Sequence, residues 1–431
     1  MAGKANSIKL FSFNTPQMRA FHMSWVAFFV CFFAWFACAP LMPVIKGEFH
    51  LSVGQIADIN IAAVAITILV RLLVGPLCDR FGARKTYTGL LMLGAIPVLG
   101  VAMAQNYESF LLFRLGIGAV GASFVITQYH TSVMFGPKVV GTANAASAGW
   151  GNSGGGVAQA LMPLLMGAVV MAGVSETMGW RVALLVPGVA MLVTAVAYWK
   201  LTQDCPEGNY AELRAAGVPF EASGKGGWAS FVQACGNYRA WLLFVTYGAC
   251  FGIELFIHNT AAVYYVDHFG LSLKAAGMAA GSFGLLALFA RALGGWLSDR
   301  AAARGDLNSR VNLLFILMVG EGLGLLWFSH AASVTLAIAA MLAFGLCTHM
   351  ACGATYALVP FVNRKALGGV AGIVGAGGNV GAVLAGFLMK GTGDVRQTLM
   401  ILGGAVLVAS VCAIGVRFSS SALETPAAAA A

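Results

Sequence analysis

The chain has 431 residues, of which 59% are hydrophobic and only 10% are charged. Soluble globular domains carry about 25% charged residues, so this composition excludes a soluble enzyme, a disordered chain and a small disulfide-rich secreted domain. The net charge of +9 is spread along the chain, so we expect no nucleic-acid partner and place the excess Lys and Arg in loops. Composition alone predicts an all-α membrane protein that crosses the lipid bilayer many times.

Twelve apolar stretches are long enough to cross a bilayer as helices, which takes about 20 residues each. The first, Phe21–Ile45, is too long for a cleaved signal segment and is predicted to remain as a span. The predicted spans are 21–45, 55–77, 86–104, 109–135, 143–172, 181–199, 240–266, 275–297, 311–329, 332–361, 367–389 and 397–418.

These spans predict an organisation in two halves. The expected parts are an N-terminal segment (1–20), a six-helix bundle (21–199), a polar linker (200–239), a second six-helix bundle (240–418) and a tail (419–431). Lys and Arg are more frequent in the loops on the side of the linker. This asymmetry predicts that both termini and the linker are cytoplasmic.

The two halves repeat the same landmarks. Five residues of the first half recur in the second half at one constant offset in residue number. The pairs are Arg71/Arg291, Gly75/Gly295, Asp79/Asp299, Arg80/Arg300 and Arg84/Arg304. A slightly larger offset aligns Tyr129/Tyr356, Gly151/Gly378, Asn152/Asn379 and Gly154/Gly381. Repeats of this kind predict two pseudo-symmetric bundles with a binding site between them, near the middle of the bilayer.

Two of the repeated segments carry a known loop motif. The sequences GPLCDRFGARK and GWLSDRAAAR resemble the loop that follows spans 2 and 8 in the major facilitator superfamily. The resemblance implies the major facilitator fold, with twelve transmembrane helices in two pseudo-symmetric bundles. It also implies a structural or gating role for four charged residues, whose ion pairs would break and re-form as the halves move: Asp79, Arg84, Asp299 and Arg304.

Two arginines lie deep in the predicted spans. Arg71 and Arg291 occupy the same repeat position, about two turns from the ends of spans 2 and 8. An arginine at this depth costs at least about 2.5 kcal/mol, so a shared anionic ligand explains the pair better than snorkelling. Two planar guanidinium forks fit a small planar oxyanion. Thr67, one turn before Arg71, is expected either to join that site or to bond its own helix, whereas Arg114 is expected to snorkel or to pack.

Two glycine-rich stretches each contain an asparagine at the same repeat position. Asn152 lies in AGWGNSGGGVAQALMP and Asn379 lies in AGIVGAGGNVGAVLAGFLM. Most of the glycines predict close packing of helices. The amide of each asparagine can donate two hydrogen bonds, so both residues are candidate ligands of an anion.

These stretches, with MRAFHMSWVAFF and GASFVITQYHTSVMF, resemble the nitrate/nitrite porter family of that superfamily over nearly the whole chain. The resemblance implies that nitrate is held between arginines matching Arg71 and Arg291. It assigns the family's motif asparagines to Asn152 and Asn379, and an aromatic ring that packs on the anion to Phe124. The MRAFH opening is more similar to the uptake branch than to the exchanger branch.

Moving an anion into a negative-inside compartment costs about 2.3 kcal/mol per 100 mV, so uptake needs cotransported protons or exchange for another anion. Glu254, in the middle of span 7, is the candidate proton carrier, with a buried structural carboxylate as the alternative. For Glu321 in span 9, a packing role is as compatible with the sequence as a role in proton coupling.

We therefore predict proton-coupled nitrate uptake across the cytoplasmic (inner) membrane. The alternative is nitrate/nitrite exchange, and a more distant one is a membrane anion sensor that does not transport. The predicted spans hold no constellation of catalytic residues, and the histidines lack metal-ligand spacing. We expect no enzymatic activity, no metal and no cofactor.

Overall fold

The computed structural model describes residues 3–136, 139–218, 227–304, 306–363 and 366–418, without the side chains of residues 227–230, 304, 367 and 368. Within these ranges the chain is almost entirely helical. The twelve helical stretches long and apolar enough to cross a membrane confirm the predicted number of spans in this described part. Spans 1 to 12 are Pro16–Phe49, Val53–Phe81, Ala83–Met103, Tyr107–Met134, Val140–Met171, Glu176–Leu201, Tyr238–Phe269, Leu273–Ala303, Leu307–Ser329, Val334–Val362, Gly369–Thr392 and Val395–Gly415.

Three spans change helix type along their length, and a fourth is interrupted. Span 1 is the clearest case, because Pro40 has no N–H to continue the α-helical ladder. Span 1 consists of Pro16–Phe36, a 3₁₀ turn at Ala39–Leu41 and Met42–Phe49, and span 3 consists of Ala83–Gly100 and a 3₁₀ turn at Val101–Met103. Span 4 consists of Tyr107–Gly118, a 3₁₀ turn at Ala119–Ala122 and Ser123–Met134. Span 8 is interrupted between Leu273–Leu285 and Ala287–Arg304. The linker holds two short helices that the sequence did not predict, Tyr210–Ala215 and Gly227–Cys235.

Ser52 and Ser272, which are separated by the same offset as Arg71 and Arg291, begin equivalent helices. Ser52 accepts a hydrogen bond from the backbone N–H of Gln55 at the start of span 2. Ser272, its counterpart in the second half, accepts one from the backbone N–H of Ala275 at the start of span 8. A serine at this position satisfies an N–H group that the helix itself leaves open. The repeat therefore fixes where the two arginine-bearing spans begin.

The chain forms two compact units. The first comprises Met1–Lys225, Phe256–Leu288 and Gly386–Gly393, and the second comprises Gly226–Leu255, Phe289–Ala385 and Asp394–Ala431. Each unit thus contains more than one stretch of sequence. The bundle boundaries expected from the sequence stay a prediction.

Repeated glycines bring helices into backbone contact inside each unit. In the first unit, a Cβ atom added at Gly154 would overlap the carbonyl oxygen of Phe29 in span 1. In the second unit, a Cβ atom added at Gly381 would overlap the carbonyl oxygen of Gly248 in span 7. Span 5 therefore packs on span 1 as span 11 packs on span 7, in agreement with the packing role expected for most of these glycines.

Candidate functional site

A charged cluster lies inside the second unit. The Arg291 guanidinium of span 8 donates to Glu254 Oε2 of span 7 at 2.6 Å. The Glu254 side chain is fully buried, and that of Arg291 is 12% exposed. A carboxylate is a planar oxyanion, so Arg291 holds a group with the shape and charge of the ligand expected for it.

His349 and Cys352 of span 10 complete this cluster. His349 Nδ1 lies 3.3 Å from Glu254 Oε2, and both side chains are fully buried. The Cys352 thiol donates to the same oxygen at 3.8 Å. The guanidinium of Arg291 also lies over the ring of Phe251, 5.4 Å from its centroid. Residues of spans 8 and 10 thus converge on one carboxylate oxygen of span 7.

Arg71 has neutral contacts inside the first unit. One of its terminal nitrogens donates to the carbonyl oxygen of Gly121 at 3.4 Å. Its guanidinium lies over the ring of Phe124, 5.8 Å from the centroid. Phe124 in turn packs against Phe28 of span 1, with the ring centroids 5.7 Å apart. The structure therefore places the aromatic candidate beside the first arginine.

Thr67 is fully buried, and its hydroxyl donates to the carbonyl oxygen of Gly118 in span 4 at 2.6 Å. This bond differs from the expected back-bond within its own helix. A hydroxyl has one hydrogen to donate, so Thr67 has none for an anion while this bond holds. Its role as a ligand stays a prediction.

Arg114 packs in the interior rather than snorkelling. Its side chain is completely buried. It donates to the carbonyl oxygen of Trp35 at 2.9 Å and to Asn259 Oδ1 at 3.1 Å. Of the two roles expected from the sequence, the structure therefore supports packing.

The two repeated asparagines are buried, one in each unit. Asn152 is 2% exposed and Asn379 is 0% exposed. The amide nitrogen of Asn379 donates weakly to the carbonyl oxygen of Gly375 at 3.4 Å. Among the described residues, nothing hydrogen-bonds to its amide oxygen. That the two arginines and the two asparagines surround one anion stays a prediction.

The motif residues of the first half contact the linker. The Arg84 side chain donates to the carbonyl oxygen of Trp199 at 2.7 Å, and its backbone N–H donates to Asp204 at 2.8 Å. Burial raises the pKa of Asp204, although the backbone N–H groups of Tyr210 and Arg84 favour its charged form. In the described part of the chain, no ion pair joins Asp79 to Arg84.

The motif residues of the second half are arranged differently. Asp299 forms an ion pair with Arg310 of span 9 at 2.6 Å. The side chain of Arg304 lies outside the described residues. Gating by these residues stays a prediction.

The sequence analysis did not assign a role to His349. Its spacing to Cys352 places both side chains on one face of span 10, and this was the local signal available. Contact of that face with Glu254 depends on the packing of spans 7 and 10. Sequence spacing therefore could not reveal the cluster.

The comparisons with known proteins agree with this fold. The sequence model of the Major Facilitator Superfamily matches residues 24–362. A bacterial homologue of the human lysosomal transporter Spinster, crystallised in an inward-facing and unoccupied conformation, superposes with a TM-score of 0.71 at 15% identity, covering 94% of this chain and 99% of that one. The nucleoside transporter NupG superposes with a TM-score of 0.65 at 14% identity, covering 93% and 100%.

Three relatives are closer in sequence. The high affinity nitrate transporter 2.5 of Arabidopsis thaliana is 38% identical, over 94% of this chain and 80% of the relative. The high-affinity nitrate transporter 2.3 of Oryza sativa subsp. japonica is 38% identical, over 94% and 78%. The nitrate/nitrite transporter NrtP of Nostoc punctiforme is 31% identical, over 87% of each.

The match over most of the spans places the chain in a class of membrane transporters rather than enzymes. With relatives of this similarity, the chain belongs to the Major Facilitator Superfamily and, within it, to the nitrate/nitrite porter family.

Proposed function

We propose that the protein is a secondary active transporter that moves nitrate across the cytoplasmic (inner) membrane by alternating access. The observation that carries this proposal is the pair Arg71 and Arg291, deep in spans 2 and 8 at equivalent repeat positions. The relatives are named as nitrate transporters, or as nitrate/nitrite transporters in the case of NrtP. Each arginine can supply a planar fork of donors to one side of a flat anion.

The remaining nitrate ligands come from the same two units. Asn152 and Asn379 offer amide donors from the glycine-rich helices, and the ring of Phe124 packs on the flat face of the anion. Thr67 joins this set if its hydroxyl leaves the carbonyl oxygen of Gly118. Nitrite has a similar charge and shape and is a second candidate substrate.

Glu254 carries the coupled proton in this proposal. Its carboxylate is fully buried and paired with Arg291, so it competes with nitrate for the same guanidinium. Protonation cancels its charge and leaves Arg291 available to the anion. Uptake of one proton with one nitrate is electroneutral, and a second proton would let the membrane potential drive uptake.

Motion and orientation complete the proposal. Asp79, Arg84, Asp299 and Arg304 change partners as the two halves move. The contacts of Arg84 with Trp199 at the end of span 6 and with Asp204 in the linker support a role at this end of span 3. Both termini and the linker face the cytoplasm, as the distribution of Lys and Arg between loops indicates.

Transport by purified protein in liposomes tests the coupling. The pH gradient, the membrane potential and the internal nitrite concentration are varied independently while nitrate entry is measured. We expect an inward pH gradient to accelerate nitrate entry and internal nitrite to have no effect. Acceleration by internal nitrite without an effect of the pH gradient would instead establish exchange. Nitrate bound without being transported would favour a sensor.

A further inference from the structure

The fully buried imidazole of His349 shares one carboxylate oxygen with Arg291. His349 Nδ1 lies 3.3 Å from Glu254 Oε2, and the nearest guanidinium nitrogen of Arg291 lies 2.6 Å from the same atom. The imidazole and the guanidinium belong to different spans, 10 and 8. A small rotation of the Glu254 side chain can therefore exchange one partner for the other.

The charges of this cluster determine whether Glu254 can stay ionised when nitrate binds to Arg291. Without nitrate, the Arg291 guanidinium and the Glu254 carboxylate cancel each other. Nitrate placed on Arg291 would put a second anion beside a carboxylate that water cannot reach, and their repulsion is strong in such surroundings. Glu254 must then hold a proton, and a protonated carboxyl needs an acceptor for its O–H group.

We propose that His349 is that acceptor: when nitrate occupies Arg291, the protonated Glu254 turns from Arg291 and donates its O–H to His349 Nδ1. This inference rests on the proposed function and deepens it by naming the residue that positions the coupled proton. A neutral imidazole nitrogen accepts a hydrogen bond well. One proton enters with one anion, so the net charge of the cluster is unchanged.

The other titratable groups near Glu254 are less suited to this role. Cys352 of span 10 donates its thiol hydrogen to the carboxylate, and Cys250 lies on the same span as Glu254. Glu321 of span 9 is a fully buried acid near Glu254, and Tyr247 lies near Arg291. Span 11 packs its glycines on span 7. His349 Nδ1, 3.3 Å from Glu254 Oε2, is the acceptor that we assign to the protonated carboxyl.

Nitrate binding and proton uptake by purified protein test the proposal. Binding is measured by calorimetry across a range of pH, and proton uptake by an indicator dye in weak buffer. If one proton is taken up with each nitrate, the Kd rises about tenfold for each unit by which the pH is raised. We expect Glu254→Gln to bind nitrate at every pH without proton uptake.

Two variants at position 349 separate positioning from packing. We expect His349→Asn, which keeps an acceptor near the Nδ1 position, to retain the pH dependence and the uptake of about one proton. We expect His349→Leu to weaken nitrate binding at low pH about tenfold, because protonated Glu254 loses its acceptor. His330→Asn is the matched control, since His330 lies outside the spans and should behave as the wild type.

Equal losses in His349→Asn and His349→Leu, or an unchanged nitrate affinity of His349→Leu at low pH, would overturn the role of His349 while nitrate transport stands. Absence of nitrate binding by the wild type would overturn the proposed function itself. Thermal unfolding checks that each variant is folded. If a variant at position 349 fails to fold, Glu254→Gln decides. Proton uptake by Glu254→Gln on nitrate binding would contradict the proposal.

Discussion

Lysine is not expected to replace arginine at positions 71 and 291, although the charge is the same. A lysine ammonium is a compact point charge and lacks the planar fork that matches an oxyanion. At Arg291 the fork also forms the 2.6 Å contact with Glu254. We expect Arg71→Lys and Arg291→Lys each to lower nitrate uptake into liposomes at least about tenfold.

Arg80→Lys is the control for these two variants. Arg80 is exposed at the end of span 2, and its guanidinium lies over the ring of Phe81, 5.1 Å from the centroid. We expect uptake like that of the wild type. Normal uptake by either Arg71→Lys or Arg291→Lys, at equal amounts of protein in the liposomes, would rule out binding between the two forks.

In the sequence, depth in a span and repetition between the halves marked single residues as candidates. Arg71 and Arg291 stood out because charges are rare in apolar spans and because both halves carry one. Their neighbours were harder to predict, since Glu254 contacts Arg291 and His349 contacts Glu254 only through the packing of three spans. Arg114 shows the same limit, because its partner Asn259 lies in another span and no spacing pattern connects the two.

At the scale of helices, close packing at the repeated glycines leads to a prediction. A methyl group at Gly154 or Gly381 would overlap a carbonyl oxygen of the neighbouring span. The two helices at each contact cannot separate without losing their packing. We therefore expect Gly154→Ala and Gly381→Ala each to lower the free energy of unfolding by about 1–3 kcal/mol. Thermal unfolding in detergent measures the loss.

Gly141→Ala is the matched substitution, because a Cβ atom there meets nothing within 4 Å. Gly141 lies in the helix of span 5, and alanine favours a helix over glycine by about 1 kcal/mol. We expect this variant to be as stable as the wild type or slightly more stable. Unchanged stability of both Gly154→Ala and Gly381→Ala would show that the glycines are not needed for packing.

The helices themselves were largely predictable, and their ends were not. Span 2 was expected at 55–77 and extends over Val53–Phe81, because the Ser52 cap and the polar end of the motif continue the helix. Apolar length identifies a span, whereas caps and tertiary contacts decide where it ends. The break of span 1 at Pro40 and the short linker helices follow from local details that hydropathy averages out.

For the whole molecule, two ion pairs among the described residues of the first unit join the first half of the sequence to the second. Lys46 of span 1 pairs with Asp267 of span 7 at 2.6 Å, and Lys390 of span 11 pairs with Asp58 of span 2 at 2.8 Å. The repeat predicted two six-helix bundles but gave no sign of these pairs, because their members do not align between the halves. If the proposed alternating access moves spans 1 and 2 relative to spans 7 and 11, these contacts break and re-form in each cycle.

Reversing one charge of the Lys46–Asp267 pair should slow this cycle. The side chains of Lys46 and Asp267 are 30% and 44% exposed, so the pair contributes at most about 1 kcal/mol. Lys46→Asp and Asp267→Lys each replace attraction by repulsion and make the return to this conformation less favourable. We expect each to reduce the rate of nitrate uptake several-fold, and the double variant, with the charges exchanged, to restore it within about twofold.

Lys274→Asp controls for the change in net charge. Lys274 is exposed near the start of span 8, and no ion pair involves it in the described part of the chain. Uptake by this variant should therefore match the wild type. If the double variant stays as slow as the two single ones, the ion pair does not take part in the cycle, because only an interaction between the two positions can be restored by exchanging their charges.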